Sequence, residues 1–170
     1  MTPADNPKVE VVAPITGDII DITEVPDAAF ASKALGDGFG IINPLGGEVV
    51  SPVTGTIMMV AKTLHAVGIR TESGLQFLVH LGIDTVELEG EPFSISVAKG
   101  DTVIAGQAIG TMDVEKIKNA GKETATIVAI TNTKKKLDRI EVTTGAAKAG
   151  APVAQALCQS RSYGSSNRGG

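Results

Sequence analysis

Tryptophan is absent from this chain of 170 residues, and with one tyrosine and four phenylalanines the aromatics reach only 3%. Its core must therefore be built from Val, Ile, Leu and Ala, with 20 glycines supplying tight turns. A single cysteine, Cys158, excludes an internal disulfide and fits a reducing, cytoplasmic compartment. No apolar stretch approaches the roughly 18 residues of a membrane span, and Met1 to Glu10 lack the apolar centre of an export signal. Neither membrane insertion nor export is expected. Basic charge is also scarce: the net charge is −4 and the one basic run, Lys134-Lys135-Lys136, reads as a solvated turn or helix end. Nucleic acid is excluded as a partner, because binding its phosphates needs a positive field. The chain also lacks a glycine-rich phosphate cradle and a carboxylate cluster for magnesium.

What the chain does have is short apolar runs between turns. A polar arm, residues 1–8, is expected to be disordered. Val9 to Ile22 gives apolar segments broken by Pro14 and Gly17. Asp27 to Leu35, with Phe30, Ala34 and Leu35 at helical spacing and Gly36 behind them, predicts one short helix lying on the rest of the domain. From Phe39 onward, short β-like runs alternate with turn pairs such as Asn43-Pro44, Thr54-Gly55, Ser73-Gly74, Gly100-Asp101 and Thr144-Gly145. Helical periodicity returns weakly at Val114 to Lys118. The balance predicts an all-β domain over residues 9–158, an antiparallel β-sandwich or flattened barrel with one or two short helices. An internal duplication agrees: Ala13-Pro14-Ile15-Thr16-Gly17-Asp18-Ile19-Ile20 resembles Ser51-Pro52-Val53-Thr54-Gly55-Thr56-Ile57-Met58, and Gly100 to Gly110 has a tight-turn cadence of its own. Residues 159–170, rich in serine and glycine, are expected to form a disordered tail.

The run Gly74 to Val86 places an imidazole, His80, inside a strand that would bury well without it. The other histidine, His65, lies on what reads as the preceding strand, Leu64 to Thr71. A two-residue loop at Glu72-Ser73 pairs Thr71 with Gly74 and sets His65 directly opposite His80. A two-residue loop at Ser73-Gly74 keeps both on one face, whereas a three-residue loop separates them. The two rings are expected to meet.

Gly74 to Val86 resembles the active-site motif of the glucose-type IIA components of the bacterial phosphoenolpyruvate-dependent sugar phosphotransferase system. That motif runs glycine, two residues, three apolar residues, histidine, apolar, glycine, apolar, any residue, threonine, apolar, and every fixed position matches. The likeness extends from about Val9 to Val153 through Ala13-Pro14-Ile15-Thr16-Gly17, Val25-Pro26-Asp27, Gly36-Asp37-Gly38, Thr63-Leu64-His65-Ala66 and Glu87-Leu88-Glu89-Gly90. It implies a phosphotransferase component of sugar transport with a phosphohistidine intermediate. His80 would accept a phosphoryl group from the histidine phosphocarrier protein and hand it to a cysteine on the IIB domain of a sugar permease. His65 would stabilise the phosphoryl group in transfer, and Thr63 would orient His65. By position, the resemblance also implies an apolar docking patch of Ala28, Ala29, Phe30, Ala34, Leu35, Ala61, Leu78 and Val86, rimmed by Asp27 and Asp84. Several of these are alanine where the family more often has larger side chains, so the patch should be shallow. No cofactor is required; zinc on His65 and His80, completed by a partner's carboxylate, is the one metal reading left open. The chain reads as a monomeric IIA unit, with no IIB cysteine motif or IIC membrane segment legible, and with regulation of carbon uptake as an added role.

Two other classes share features with this sequence. His80-Leu81-Gly82-Ile83-Asp84 has a His-x-x-x-Asp spacing found in some zinc peptidases of β fold, but only His65 is left to complete the ligands. A biotinyl or lipoyl carrier, suggested by the Gly100 to Gly110 cadence, needs a lysine at a hairpin tip, and Lys116 does not carry that motif cleanly.

Overall fold

Alternation along the apolar runs separates two faces of a large sheet, and His80 falls on the outer one. The computed structural model describes residues 7–159. In chain order its elements are β1 (Lys8–Val12), β2 (Gly17–Asp21), α1 (Ala28–Ala31), β3 (Asp37–Ile42), β4 (Gly47–Val50), β5 (Gly55–Val60), β6 (Ala66–Arg70) and β7 (Gln76–Ile83). There follow β8 (Phe93–Ile95), β9 (Thr102–Val103), β10 (Ala108–Met112), α2 (Val114–Asn119), β11 (Glu123–Ile130), α3 (Thr133–Lys136), β12 (Leu137–Val142), β13 (Gly145–Ala147) and β14 (Pro152–Cys158). Single 3-10 turns occupy Ile22–Glu24 and Thr85–Leu88.

Every strand pair is antiparallel. Eight strands form one sheet in the order β13-β2-β3-β11-β7-β6-β5-β9, and two three-stranded sheets, β1-β14-β12 and β4-β10-β8, complete the sandwich. Phe39, Ile41, Val67, Ile69, Phe77, Val79, Leu81, Val128 and Ile130 point from the large sheet into the main core, where they meet Val11, Val49, Ile109, Met112 and Ala156. The opposite face carries Ala125, Ile127 and Ala129 from β11, and the segment with Ile22, Val25 and Phe30 lies over them as a second, smaller cluster. The all-β sandwich expected from the sequence is the fold.

The duplication is visible in the hydrogen bonds. Val12 N–H donates to the Pro52 carbonyl at 2.9 Å and its counterpart Val50 N–H to that of Pro14 at 2.8 Å. Ala13 exchanges backbone bonds with Gly150 and Ala151, just as Ser51 does with Gly106 and Gln107. The Thr16 and Thr54 hydroxyls accept from Ala149 and Ala105 respectively, each at 3.0 Å. Gly145 to Ala151 is thus the partner of the Gly100 to Gly110 stretch, which the sequence left unpaired.

Three boundaries differ from expectation. Of the N-terminal arm, residues 1–6 lie outside the described residues, while Lys8 opens β1 opposite Leu157 and the Pro7 carbonyl accepts from Cys158 N–H. Likewise 160–170 of the tail lie outside them, and the Gln159 amide is held by the Lys134 and Leu137 carbonyls. The helix expected over Asp27 to Leu35 is a single turn, Ala28–Ala31, because Lys33 adopts a left-handed φ of 66° and turns the chain away toward Gly36. Cys158 is free and buried in β14.

Candidate functional site

β6 and β7 pair with Ala66 opposite His80, one residue out of the register that would face the two histidines. The cause is a three-residue loop: Thr71 pairs with Leu75, its N–H donating to the Leu75 carbonyl at 2.9 Å while its hydroxyl accepts from Leu75 N–H at 3.1 Å. Continued alternation would send the His65 side chain to the core face. Instead the strand ends at Ala66, Leu64 takes a left-handed φ of 61°, and His65 leaves the pleat. The rings still meet, edge to face, with centroids 5.2 Å apart and planes at 78°.

Each ring is held from behind. His80 Nδ1 lies 2.7 Å from the Gly82 carbonyl oxygen, which only accepts, so this nitrogen carries the proton and Nε2 keeps its lone pair. Thr63 Oγ1 lies 2.7 Å from His65 Nδ1. Phe30, buried beneath α1, sets its ring centroid 5.1 Å from that of His80 at a tilt of 59°. Burial pushes the His80 imidazole below its ordinary value, against the opposing pull of the Gly82 carbonyl, Asp27 and Asp84. His65 is lowered as well, by burial first and by His80 second. Both rings are therefore neutral near pH 7, which leaves His80 Nε2 a nucleophile.

Asp27, Phe30, Leu35, Leu78, Asp84 and Val86, six of the residues expected at the docking surface, join Ala29 and His80 in lining one depression of about 230 Å³. Leu35 and Val86 stand 44% and 49% exposed at its lip, a large apolar contribution from residues so close to a polar centre. Phe30 forms the wall and is not itself an exposed contact, since its ring is spent on His80 and the smaller cluster. Asp27 also caps α1, its carboxylate accepting from Ala29 and Phe30 N–H. Of the remaining patch residues, Ala28, Ala29 and Ala34 are exposed and Ala61 is partly so, as a shallow surface requires.

Three partners were not identified from sequence: the Gly82 carbonyl, the left-handed Leu64 and the buried Thr85 that folds back onto β7. The signal was present in the His-x-Gly and Gly-x-x-Thr spacings, which carry geometry in the main chain and not in an obvious reactive group. The rival chemistries find little here. Among the described residues, no three of His, Cys, Asp and Glu gather to hold a metal, so His65 and His80 would need a ligand from outside. Lys116 sits inside α2, not on a hairpin tip. No helix among the described residues is long and apolar enough to cross a membrane.

The chain as a whole has known relatives. The family described as phosphoenolpyruvate-dependent sugar phosphotransferase system, EIIA 1, matches residues 9–136. The glucose-specific EIIA component of Staphylococcus aureus (strain COL) is 44% identical over 125 residues, covering 74% of this chain and 75% of that protein. The glucose-specific EIICBA component of Streptococcus pneumoniae serotype 4 is 47% identical over 123 residues, 72% of this chain but 17% of the relative's length. Among solved structures, glucose permease IIA from Mycoplasma capricolum superposes with a TM-score of 0.79 at 36% identity, covering 91% of this chain and 99% of that one.

Proposed function

The chain belongs to the EIIA 1 family of the phosphoenolpyruvate-dependent sugar phosphotransferase system, whose members are phosphotransferases acting through phosphohistidine, and from that premise we propose that His80 is its phosphoryl carrier. The His80 Nε2 lone pair attacks the phosphorus of a phosphohistidine on the histidine phosphocarrier protein. The donor's N–P bond breaks as the new one forms, and the electron pair returns to the donor ring. In the second step a IIB cysteine thiolate of a sugar permease attacks the same phosphorus and His80 recovers its lone pair. Such transfers need alignment and charge stabilisation more than covalent assistance. No cofactor is called for, and the two histidines alone fall short of a zinc site.

The observation that carries this reading is the Nδ1–H bond to Gly82, which leaves Nε2 free in a ring that touches a second imidazole. Thr63 Oγ1 lies 2.7 Å from His65 Nδ1, and with the hydroxyl as donor in that bond His65 Nε2 carries the proton that meets the phosphoryl oxygens. Leu35, Leu78 and Val86 provide the apolar seat for each partner, while Asp27 and Asp84 meet its cationic side chains. The protein works as a monomer in the cytoplasm, where carrier and IIB domain reach the same depression in turn. A role in regulating carbon uptake would use this surface in its unphosphorylated state. The test is a two-stage transfer assay with purified carrier and IIB domain. His80→Gln is expected to abolish acceptance, and His65→Gln to accept the group but fail to pass it on; normal donation by His65→Gln would remove His65 from the mechanism.

A further inference from the structure

On the reading that His80 carries the phosphoryl group, we infer that Thr85 is a positioning residue that sets which nitrogen of His80 is free. Thr85 is fully buried, and its hydroxyl donates to the Leu81 carbonyl at 2.6 Å. That carbonyl lies where the ladder between β7 and β11 slips, between the pairs Thr126–Leu81 and Glu123–Ile83. The other side of residue 81 is also engaged: Leu81 N–H donates to the His65 carbonyl at 2.7 Å. Thr85 therefore anchors the stretch that joins the two histidines.

The turn that follows leaves no room for a side chain. Gly82 has a φ of 79°, and a Cβ there would come 2.5 Å from Thr85 Cγ2. That position therefore takes only glycine, which adopts the left-handed turn whose carbonyl faces His80 Nδ1 at 2.7 Å. Asp84, also left-handed at φ 61°, completes the reversal that brings Thr85 back. The hydroxyl fixes residue 81, the turn that follows aims the Gly82 carbonyl at Nδ1, and that carbonyl selects the Nδ1–H tautomer. Without that selection a neutral imidazole divides its proton between both nitrogens, and a fraction of the molecules present no lone pair at Nε2.

The experiment is nitrogen-resolved NMR of the His80 ring in the unphosphorylated full chain near pH 8, read beside phosphoryl acceptance from the carrier. Wild-type protein is expected to show a protonated Nδ1 and an unprotonated Nε2. Thr85→Val, which keeps the shape and loses the hydroxyl, is expected to move the two nitrogen shifts toward each other and slow acceptance about tenfold. Thr85→Ser should restore both. A folded Thr85→Val with the wild-type ring pattern overturns the inference, as does Thr85→Ser with a mixed one. If Thr85→Val does not fold, the serine variant decides alone. A wild-type ring pattern with no acceptance from an active carrier would defeat the functional reading and leave the role of Thr85 standing.

Discussion

Gly82→Ala probes the turn on which the site depends. Gly82 sits at φ 79°, and an added Cβ would lie 2.5 Å from Thr85 Cγ2 and 3.0 Å from the Glu123 carbonyl oxygen. The backbone conformation alone costs an L-residue about 1 kcal/mol, and the overlap in a packed interior a further ~1–3 kcal/mol. Gly100 supplies the control: its φ is 97°, but nothing lies within 4 Å of its Cβ position. Gly100→Ala should bear only the backbone cost. For a domain of this size, each kcal/mol moves the melting temperature by about 2–4 °C. Gly82→Ala is therefore expected to melt roughly 4–16 °C below wild type, and Gly100→Ala about 2–4 °C below. Only the first should also slow phosphoryl acceptance, because relieving the overlap rotates the Gly82 carbonyl away from His80 Nδ1. Thermal denaturation and single-turnover phosphorylation of the two variants give both numbers. Equal melting shifts with equal acceptance rates would refute the reasoning.

Other consequences follow from the same geometry. Because burial lowers both histidines below about 6.5, the unfolded chain takes up protons first as pH falls, so their share of stability is complete above pH ~6.5 and is lost on descending through the depressed values. Urea midpoints should be flat above neutrality and fall below it, with part of that slope absent in His80→Gln; a midpoint rising toward pH 5 would contradict the assignment. Phe30→Ala removes a buried ring and should cost about 3 kcal/mol in urea denaturation. It also opens His80 to water, so the midpoint of its NMR titration should move up. Asp27→Ala loses the cap of α1, about 1 kcal/mol, and should weaken carrier binding most at low salt, read by calorimetry at two ionic strengths.

The residues of the site were legible in the sequence because the chemistry needs particular side chains at fixed spacing, and Gly74 to Val86 displays them in a row. The path by which they meet was not. Thr71 bridges to Leu75 and makes the 72–74 loop three residues long, a choice that Glu72-Ser73-Gly74 as a string leaves undecided. A left-handed leucine at position 64 then undoes the resulting slip, and a branched residue with no polar side chain gives no cue for that conformation. Phe30 could equally have faced solvent in a longer helix; the early turn at Lys33 and the apolar bed of Ile127 and Ala129 decide that it packs inward. The duplication was half visible, since Gly145 to Ala151 shares with 101–107 mainly the Ala-Gly at its end and shows its kinship in backbone bonds.

The central claim is that His80 receives the phosphoryl group on the nitrogen that Gly82 leaves free. It is tested most directly by phosphorylating the purified protein with phosphoenolpyruvate, enzyme I and the histidine phosphocarrier protein, then locating the group by peptide mass mapping and phosphorus-nitrogen coupling in NMR. One acid-labile phosphoryl group on His80 Nε2, absent when the carrier is omitted, is the expected result. A group on Nδ1, on His65, or on no histidine at all despite an active carrier would contradict the account.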